Sequence, residues 1–273
     1  MEAISNALLP PVTFAYLAAS VLYLCHWVLK RRLFGTLATV VSWLSLGVHT
    51  ASIILRWVGS YQMGIGHAPF SNLFESLVFF AWTLVLIYLV IEAATKLKAL
   101  GVFALPLGFL ALLYAMKLDP AIKPLLPALK SNWLIAHVIT CFLGYAAFGV
   151  SCAVAVMYLV TGQQRHPDSP RARLLDDLNY QTVVVGFILL TAGIVTGSIW
   201  ANSAWGTYWS WDPKETWSLI TWLVYAAMLH ARFMRGWQGA RLAKFSLLGF
   251  ACVLFTYFGV NLLLSGLHSY ATG

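Results

Sequence analysis

In this 273-residue chain, the residues whose types and spacing are best suited to bind a ligand form a short tryptophan-rich stretch. Residues 205–215 read W-G-T-Y-W-S-W-D-P-K-E, so that Trp205, Tyr208, Trp209 and Trp211 stand within seven residues. Aromatic rings at this density can stack on a flat apolar ligand. A tryptophan belt at a membrane interface usually places only about one or two such residues at a helix end. Spacing alone leaves two interpretations open. The four aromatic residues form either an interface belt or a flat surface for a ligand, which we call the aromatic shelf.

Part of the same stretch is typical of a helix start. Asp212 stands in the N-cap position, Pro213 in the first helical position and Glu215 in the third, which is the pattern of a capping box. For Asp212 and Glu215, capping is favoured over a ligand role, although Asp212 also borders the aromatic shelf and is kept among the candidate binding residues. The helix N-terminus, with Lys214 or Arg56, is suited to receive acidic groups of a ligand.

The chain contains seven histidines, three of which are candidate metal ligands. His137 and His268 are both expected to flank the tryptophan-rich stretch at the same membrane depth. Two imidazoles on either side of an aromatic shelf are what axial ligation of haem iron requires. His230 lies about 25 Å along the next helix from Pro213, at 1.5 Å per residue. A histidine inside a membrane span is a functional candidate, and His49 is the second such residue.

The elements that position these residues are predicted to be transmembrane helices. Sixty per cent of the residues are hydrophobic and 10% are charged, which is too little polar surface for a soluble protein of this length. The sequence therefore predicts an all-α, polytopic membrane protein and one domain over residues 1–273. Apolar runs long enough to span a bilayer occur eight times, at about 11–29, 36–57, 73–94, 98–116, 133–160, 181–201, 216–234 and 244–265.

Loop charges set the predicted orientation of these spans. Twelve of the 17 Lys and Arg residues fall in one set of loops and five in the other, and cytoplasmic loops carry the basic excess. Both termini are therefore expected outside, together with loops 58–72, 117–132 and the tryptophan-rich loop 202–215. The net charge of +8 lies in the short inside loops, so no nucleic-acid partner is predicted. No two of the four cysteines stand at C-x-x-C spacing, so neither a dithiol site nor a covalent haem attachment site is expected.

Longer motifs carry a family resemblance. Residues 205–230, W-G-T-Y-W-S-W-D-P-K-E-T-W-S-L-I-T-W-L-V-Y-A-A-M-L-H, resemble the signature of the cytochrome c assembly family, in particular its CcsA/ResC-type branch (also named CcsB) in the System II cytochrome c synthase. Further matches are Trp133-Leu134-x-x-His137-Val138, Pro69-x-x-Asn72-x-x-Glu75-Ser76 and N-L-L-L-S-G-L-H-S-Y at residues 261–270. The resemblance runs from about residue 45 to the end of the chain.

The resemblance implies a function in cytochrome c biogenesis. It implies that haem b, as a substrate in transit, binds the tryptophan-rich stretch (Trp205, Tyr208, Trp209, Trp211 and Asp212) between two axial histidines, His137 and His268. His230 would hold haem within the membrane, and its opposite ligand is expected on a CcsB/ResB-type membrane subunit. The chain would then be one subunit of a cytochrome c haem lyase in the bacterial cytoplasmic (inner) membrane, presenting haem outside to the C-x-x-C-H motif of apocytochrome c, with thiol-reducing proteins acting indirectly.

Two other functions remain open at this point. A HemX/YpjD-like membrane protein would share the signature and act in haem binding or in the regulation of haem biosynthesis, without synthase activity. A transporter or channel would use its tryptophans as interface anchors and would bind no chromophore. The paired histidines and the terminal H-S-Y favour the synthase subunit.

Overall fold

The computed structural model describes residues 1–264, and within this range the chain consists of helices and their connections, without a β-strand. Seven of the helices are long and apolar enough to cross a membrane. The prediction of an all-α, multi-pass membrane protein is therefore confirmed. The described residues fold as two compact units, residues 1–129 (unit one) and 130–264 (unit two). The single domain predicted from the sequence stays a prediction.

Unit one consists of four long helices in two neighbouring pairs, with α1 against α2 and α3 against α4. A 3₁₀ turn over Lys98–Leu100 leads directly into the fourth helix. The helices are α1 (Glu2–Leu29), α2 (Arg32–Gln62), α3 (Leu73–Thr95) and α4 (Gly101–Ala115). Pro106 lies inside α4 without ending it, as a membrane helix tolerates when its neighbours satisfy the freed carbonyl.

Unit two is formed by four further helices, in which α5 packs along α6 and also along α8. The helices are α5 (Asn132–Val160), α6 (Pro170–Trp205), α7 (Pro213–Arg235) and α8 (Ala240–Leu254). The last of these continues through a π turn over Phe255–Gly259 into a final turn, Val260–Leu263. Turns of π type inside helices are frequent near functional sites.

The predicted spans coincide with these helices, and most differences lie at the ends. The largest concerns α6, which begins at Pro170 rather than at 181 because the Ser169 side chain caps it and accepts a hydrogen bond from the Ala172 amide. A cap and a proline at the first position start a helix whether or not the next residues are apolar. The predicted span 216–234 lies within α7, but α7 is not among the seven strongly apolar helices, since polar residues such as Thr216, Thr221 and Arg232 interrupt it.

The contact between α5 and α6 follows a regular register of side chains against glycines. Phe148, Cys141 and His137 of α5 face Gly186, Gly193 and Gly197 of α6, respectively. A Cβ atom added at any of these three glycines would lie within 2.7 Å of the facing side chain. The residues on each helix are spaced by seven and then by four positions, which is the spacing of a helix–helix seam. Glycine at such a seam allows two membrane helices to approach closely.

Unit one has a polar cluster that the sequence did not predict. Glu92, which lies in the last turns of the predicted span 73–94, is buried in α3. Its carboxylate accepts hydrogen bonds of 2.5 Å from the hydroxyl groups of Tyr23, Thr39 and Tyr88, and the Lys98 ammonium lies 3.8 Å away. A buried charge is tolerated only when it is paired and hydrogen-bonded in this way. The cluster therefore holds α1, α2 and α3 together.

Candidate functional site

The tryptophan-rich stretch is a loop held between two rigid helix ends. The predicted loop 202–215 is shorter in the structure, since α6 continues to Trp205 and α7 begins at Pro213. Gly206 ends α6 in the left-handed conformation, with φ of 79°, and its amide donates to the Asn202 carbonyl. Within the remaining loop, residues 206–212, the side chains of Tyr208 and Trp211 are 59% and 69% exposed. The rings of Trp209 and Trp211 meet edge to face at 5.7 Å.

Glu215 and Asp212 form the capping box that the sequence predicted. The Asp212 carboxylate accepts from the Lys214 amide at 3.0 Å, and Glu215 accepts in return from the Asp212 amide at 3.2 Å. Glu215 also accepts from the Ser210 amide at 2.7 Å. The two acids therefore fix the shape of the loop between Trp209 and Trp211, and for Asp212 the capping interpretation is confirmed.

Trp211 adopts an unusual backbone conformation. Its φ is +60°, and only three non-glycine residues in the described part of the chain have a positive φ. A bulky side chain in the left-handed region costs about 1–2 kcal/mol, and such strain is often found at functional sites. Here the strained residue directly precedes the N-cap Asp212 and carries the most exposed ring of the loop.

His137 is held in a defined orientation by α6. Its Nδ1 atom lies 2.8 Å from the carbonyl oxygen of Gly193. A carbonyl oxygen can only accept, so Nδ1 is the protonated nitrogen and donates to it. The neutral ring then carries its lone pair on Nε2, the form in which an imidazole ligates a metal.

Two tryptophans connect His137 to the start of the loop. The ring of Trp200, which is buried, stacks on His137 at a centroid distance of 5.9 Å and an interplanar angle of 21°. Trp205 meets Trp200 edge to face at 4.8 Å. Trp200 was not singled out from the sequence, and only its position five residues before Trp205 hinted at it. The structure thus brings His137, Trp200 and Trp205 together at the end of α6, where the loop begins.

Of the other candidate ligands, only His230 and His49 lie in the part of the chain that the structure describes. His268 falls outside the described residues. His230 is exposed on α7, 17 positions beyond Pro213, and lies on the same exposed side of the helix as Leu223, Ala227 and Met234. These four residues are spaced by four, three and four positions and so form one continuous stripe along α7. We call them the α7 stripe.

His49 and Arg56 are enclosed within unit one. The His49 imidazole is fully buried, and its Nδ1 atom lies 3.1 Å from the Tyr16 hydroxyl. The Arg56 guanidinium is bonded to Glu75 at 2.8 Å and to the Pro120 carbonyl at 2.7 Å. The expectation that Arg56 receives acidic groups of a ligand is therefore not supported.

Lys214 is the other basic residue that the sequence suggested as a partner for acidic groups of a ligand. It precedes the predicted span 216–234 and is half-buried at the start of α7. Burial lowers the pKa of its ammonium group to about 8, and the neighbouring Asp212 carboxylate acts in the opposite direction. An ammonium group in this environment gains from an additional anionic partner.

The fold and this site define a multi-pass helical membrane protein with a histidine-flanked aromatic loop. The model of the family "Cytochrome C assembly protein" matches residues 70–268. The cytochrome c biogenesis protein CcsA of Gloeobacter violaceus is 39% identical, with 86% of each chain covered. CcsA of Synechococcus sp. strain WH7803 is 39% identical over 95% of this chain and 94% of its own, and CcsA of Guillardia theta is 43% identical over 81% of each.

The fold is shared with a solved structure. The cytochrome c heme lyase CcmF superposes with a TM-score of 0.74 at 21% identity, covering 94% of this chain. The chain spans about half of that lyase, 46% of its length. The present chain belongs to the cytochrome c assembly protein family, as its signature predicted, and it is a multi-pass membrane protein of cytochrome c biogenesis. The CcsA relatives agree with the CcsA/ResC-type resemblance.

Proposed function

We propose that this protein presents haem to apocytochrome c, with the tryptophan-rich loop as the binding surface and His137 and His268 as the two axial ligands. The observation that carries the proposal is the bond from Nδ1 of His137 to the Gly193 carbonyl. This bond sets the tautomer that ligates iron, and it does so beside Trp200 and Trp205 at the start of the loop.

The exposed rings of the loop fit a planar apolar substrate. Tyr208 and Trp211 are largely exposed, while Glu215 holds the backbone between Trp209 and Trp211. A rigid aromatic surface binds a flat ligand without first having to be ordered. The Lys214 ammonium and the N-terminus of α7 are the groups that would receive the haem propionates.

The proposed reaction joins haem covalently to the C-x-x-C-H motif of apocytochrome c. Each cysteine S–H adds across one vinyl C=C bond, with sulfur bonding to the α carbon and hydrogen to the β carbon, so no oxidant is consumed. The cysteines must arrive reduced, which is the indirect contribution of thiol-reducing proteins. This chain contributes positioning and iron ligation, and the histidine of the motif replaces one of the two axial imidazoles.

We further propose that His230 holds haem within the membrane before it reaches the loop. An imidazole exposed on a helix in a bilayer is costly unless a ligand or another chain covers it. The His49 imidazole is fully buried within unit one, and a ring without exposed surface is poorly placed as the second ligand. We therefore assign that ligand to a CcsB/ResB-type partner subunit.

The proposed setting is the bacterial cytoplasmic membrane, with the tryptophan-rich loop and both termini outside. The support is the distribution of basic residues, of which Arg232, Arg235 and Arg241 follow His230 along the chain. Haem would then enter near His230 and leave at the loop.

The experiment co-expresses the chain with its partner subunit and an apocytochrome reporter. Absorption spectra of the purified complex report the haem ligands, and haem staining of denatured reporter reports thioether formation. We expect His137→Ala and His268→Ala to lose the low-spin spectrum of the outer site. His230→Ala should lose the intramembrane haem, and all three variants should lose the stained reporter.

The matched control is His166→Ala, which removes an exposed histidine on the connection between α5 and α6. This variant should retain both the spectrum and the reporter. A colourless wild-type complex would overturn the proposal, as would a His137→Ala variant with an unchanged spectrum.

A further inference from the structure

We infer that Gly193 and Gly197 of α6 are positioning residues for His137, forming a cradle that fixes both the direction and the tautomer of its imidazole. The inference rests on the proposed haem-presenting function of this site. It concerns residues outside the tryptophan-rich loop and identifies what on α6 makes His137 a ligand rather than a packing residue.

The two glycines act on His137 in different ways. Gly193 supplies the carbonyl oxygen that accepts from Nδ1 at 2.8 Å. Gly197 supplies space, since a Cβ atom there would lie 2.5 Å from Nδ1 and 2.8 Å from Cε1. No real Cβ atom comes this close to a ring, so the imidazole can occupy its present position only while residue 197 is glycine.

The cradle is part of the α5–α6 register. The spacing of Phe148, Cys141 and His137 on α5 is repeated by Gly186, Gly193 and Gly197 on α6. Each glycine receives one side chain, and His137 is the member of the series that lies at the end bearing the loop. The ring of Trp200 also stacks against the imidazole. The imidazole is thus in contact with both the backbone of α6 and an aromatic ring.

This enclosure has a chemical consequence for a ligand. A hydrogen bond from Nδ1 to a carbonyl raises the basicity of Nε2 and fixes the ring orientation, as seen at metal-bound histidines. It also means that His137 is pre-oriented before iron arrives. Loss of the cradle should therefore weaken ligation even though the histidine itself is still present.

The test compares Gly197→Ala with Gly186→Ala. Alanine is the better helix former, so any loss comes from the contact between the two helices. Both variants create a similar clash on α6, at 2.5 Å with His137 and at 2.7 Å with Phe148. Only the first disturbs the proposed ligand, so Gly186→Ala controls for general loosening of the seam.

Two measurements are made on the full-length protein. In haem-free protein labelled with ¹⁵N-histidine, NMR reports the tautomer of His137, identified by its absence in His137→Ala. In protein co-expressed with the partner subunit, the absorption spectrum reports axial ligation. We expect an Nδ1–H tautomer and a six-coordinate low-spin spectrum in the wild type and in Gly186→Ala. Gly197→Ala should lose both signatures, and added imidazole should restore the low-spin spectrum.

Three results would overturn the cradle. These are an Nε2–H tautomer in the wild-type protein, a Gly197→Ala spectrum equal to that of the wild type, and equal damage from Gly186→Ala. A wild type that binds no haem would instead refute the proposed function. The NMR measurement would still decide whether Gly193 and Gly197 set the tautomer of His137.

Discussion

The Nε atom of Arg56 on α2 lies 2.8 Å from Oε1 of Glu75 on α3, and both side chains are almost completely buried. The same guanidinium donates to the Pro120 carbonyl at 2.7 Å. Glu75 accepts from the Ser71 amide and hydroxyl through its second oxygen. The pair therefore joins two helices to the connections that follow α2 and α4, which explains the acid in the Pro69-x-x-Asn72-x-x-Glu75 motif.

Removing one partner of this pair should be strongly destabilising. Arg56→Ala or Glu75→Ala leaves a buried charge without its counter-ion, which typically costs about 3–5 kcal/mol. The double variant Arg56→Met/Glu75→Leu should recover much of this loss. Thermal unfolding in detergent measures both effects. Lys123→Ala is the control, because its ion pair with Asp119 is exposed and its loss should shift the unfolding temperature far less. A Glu75→Ala variant as stable as the wild type would contradict this assignment.

The positive φ of Trp211 predicts that replacing this residue by glycine destabilises the protein less than replacing it by alanine. Trp211→Gly and Trp211→Ala remove the same ring, but glycine adopts a φ of +60° without the steric cost that alanine has. Trp211→Gly should therefore be more stable than Trp211→Ala by about 1 kcal/mol. At Trp209, where φ is not positive, glycine should be no better than alanine. Chemical unfolding of the four variants measures the difference, and the same order at both positions would refute the role of strain.

The α7 stripe predicts that a large side chain introduced next to His230 prevents haem from binding there. Ala227 lies one turn before His230 on the exposed side of α7, so Ala227→Trp should fill the space in front of the imidazole. We expect roughly tenfold less haem-stained reporter, equivalent to about 1.4 kcal/mol, together with loss of the intramembrane haem spectrum. Ala251→Trp, at an exposed alanine of α8, is the control. If the two variants behave alike, the stripe has no specific role.

The lowered pKa of Lys214 predicts a pH dependence of stability. The folded lysine loses its proton near pH 8, whereas the unfolded one keeps it up to about its ordinary value of 10.5. Between these values the unfolded state binds more protons, so this residue makes stability rise with pH. The Lys214→Met variant should therefore show a smaller gain in unfolding temperature from pH 8 to pH 10 than the wild type. Lys130→Met, at an exposed lysine, should match the wild type, and an equal gain in all three proteins would contradict the prediction.

Local features were predictable from the sequence because each depends on a few neighbouring residues. The capping box of Asp212 and Glu215 requires only their spacing of three positions. The spans follow from apolar runs as long as a bilayer is thick. The family follows from the long motif that ends at His230. None of these inferences required knowledge of which helices are neighbours.

Contacts between helices were not predictable in this way. The sequence does not show that Glu92 is surrounded by Tyr23, Thr39 and Tyr88. Nor does it show that Arg56 is paired with Glu75. Apolar periodicity shows which side of a helix is buried. It does not show which residue of another helix lies opposite, because that depends on the rotation and axial shift of both helices.

His137 shows most clearly which features the sequence determined and which the tertiary structure decided. Its residue type, its position near the end of a span and its motif identified it as a candidate ligand from the sequence alone. The tertiary structure decided that Gly193 receives its Nδ1 proton, that Gly197 makes room for its ring and that Trp200 covers it. Those three residues lie 56 or more positions away along the chain, and only the packing of α6 against α5 brings them to the imidazole.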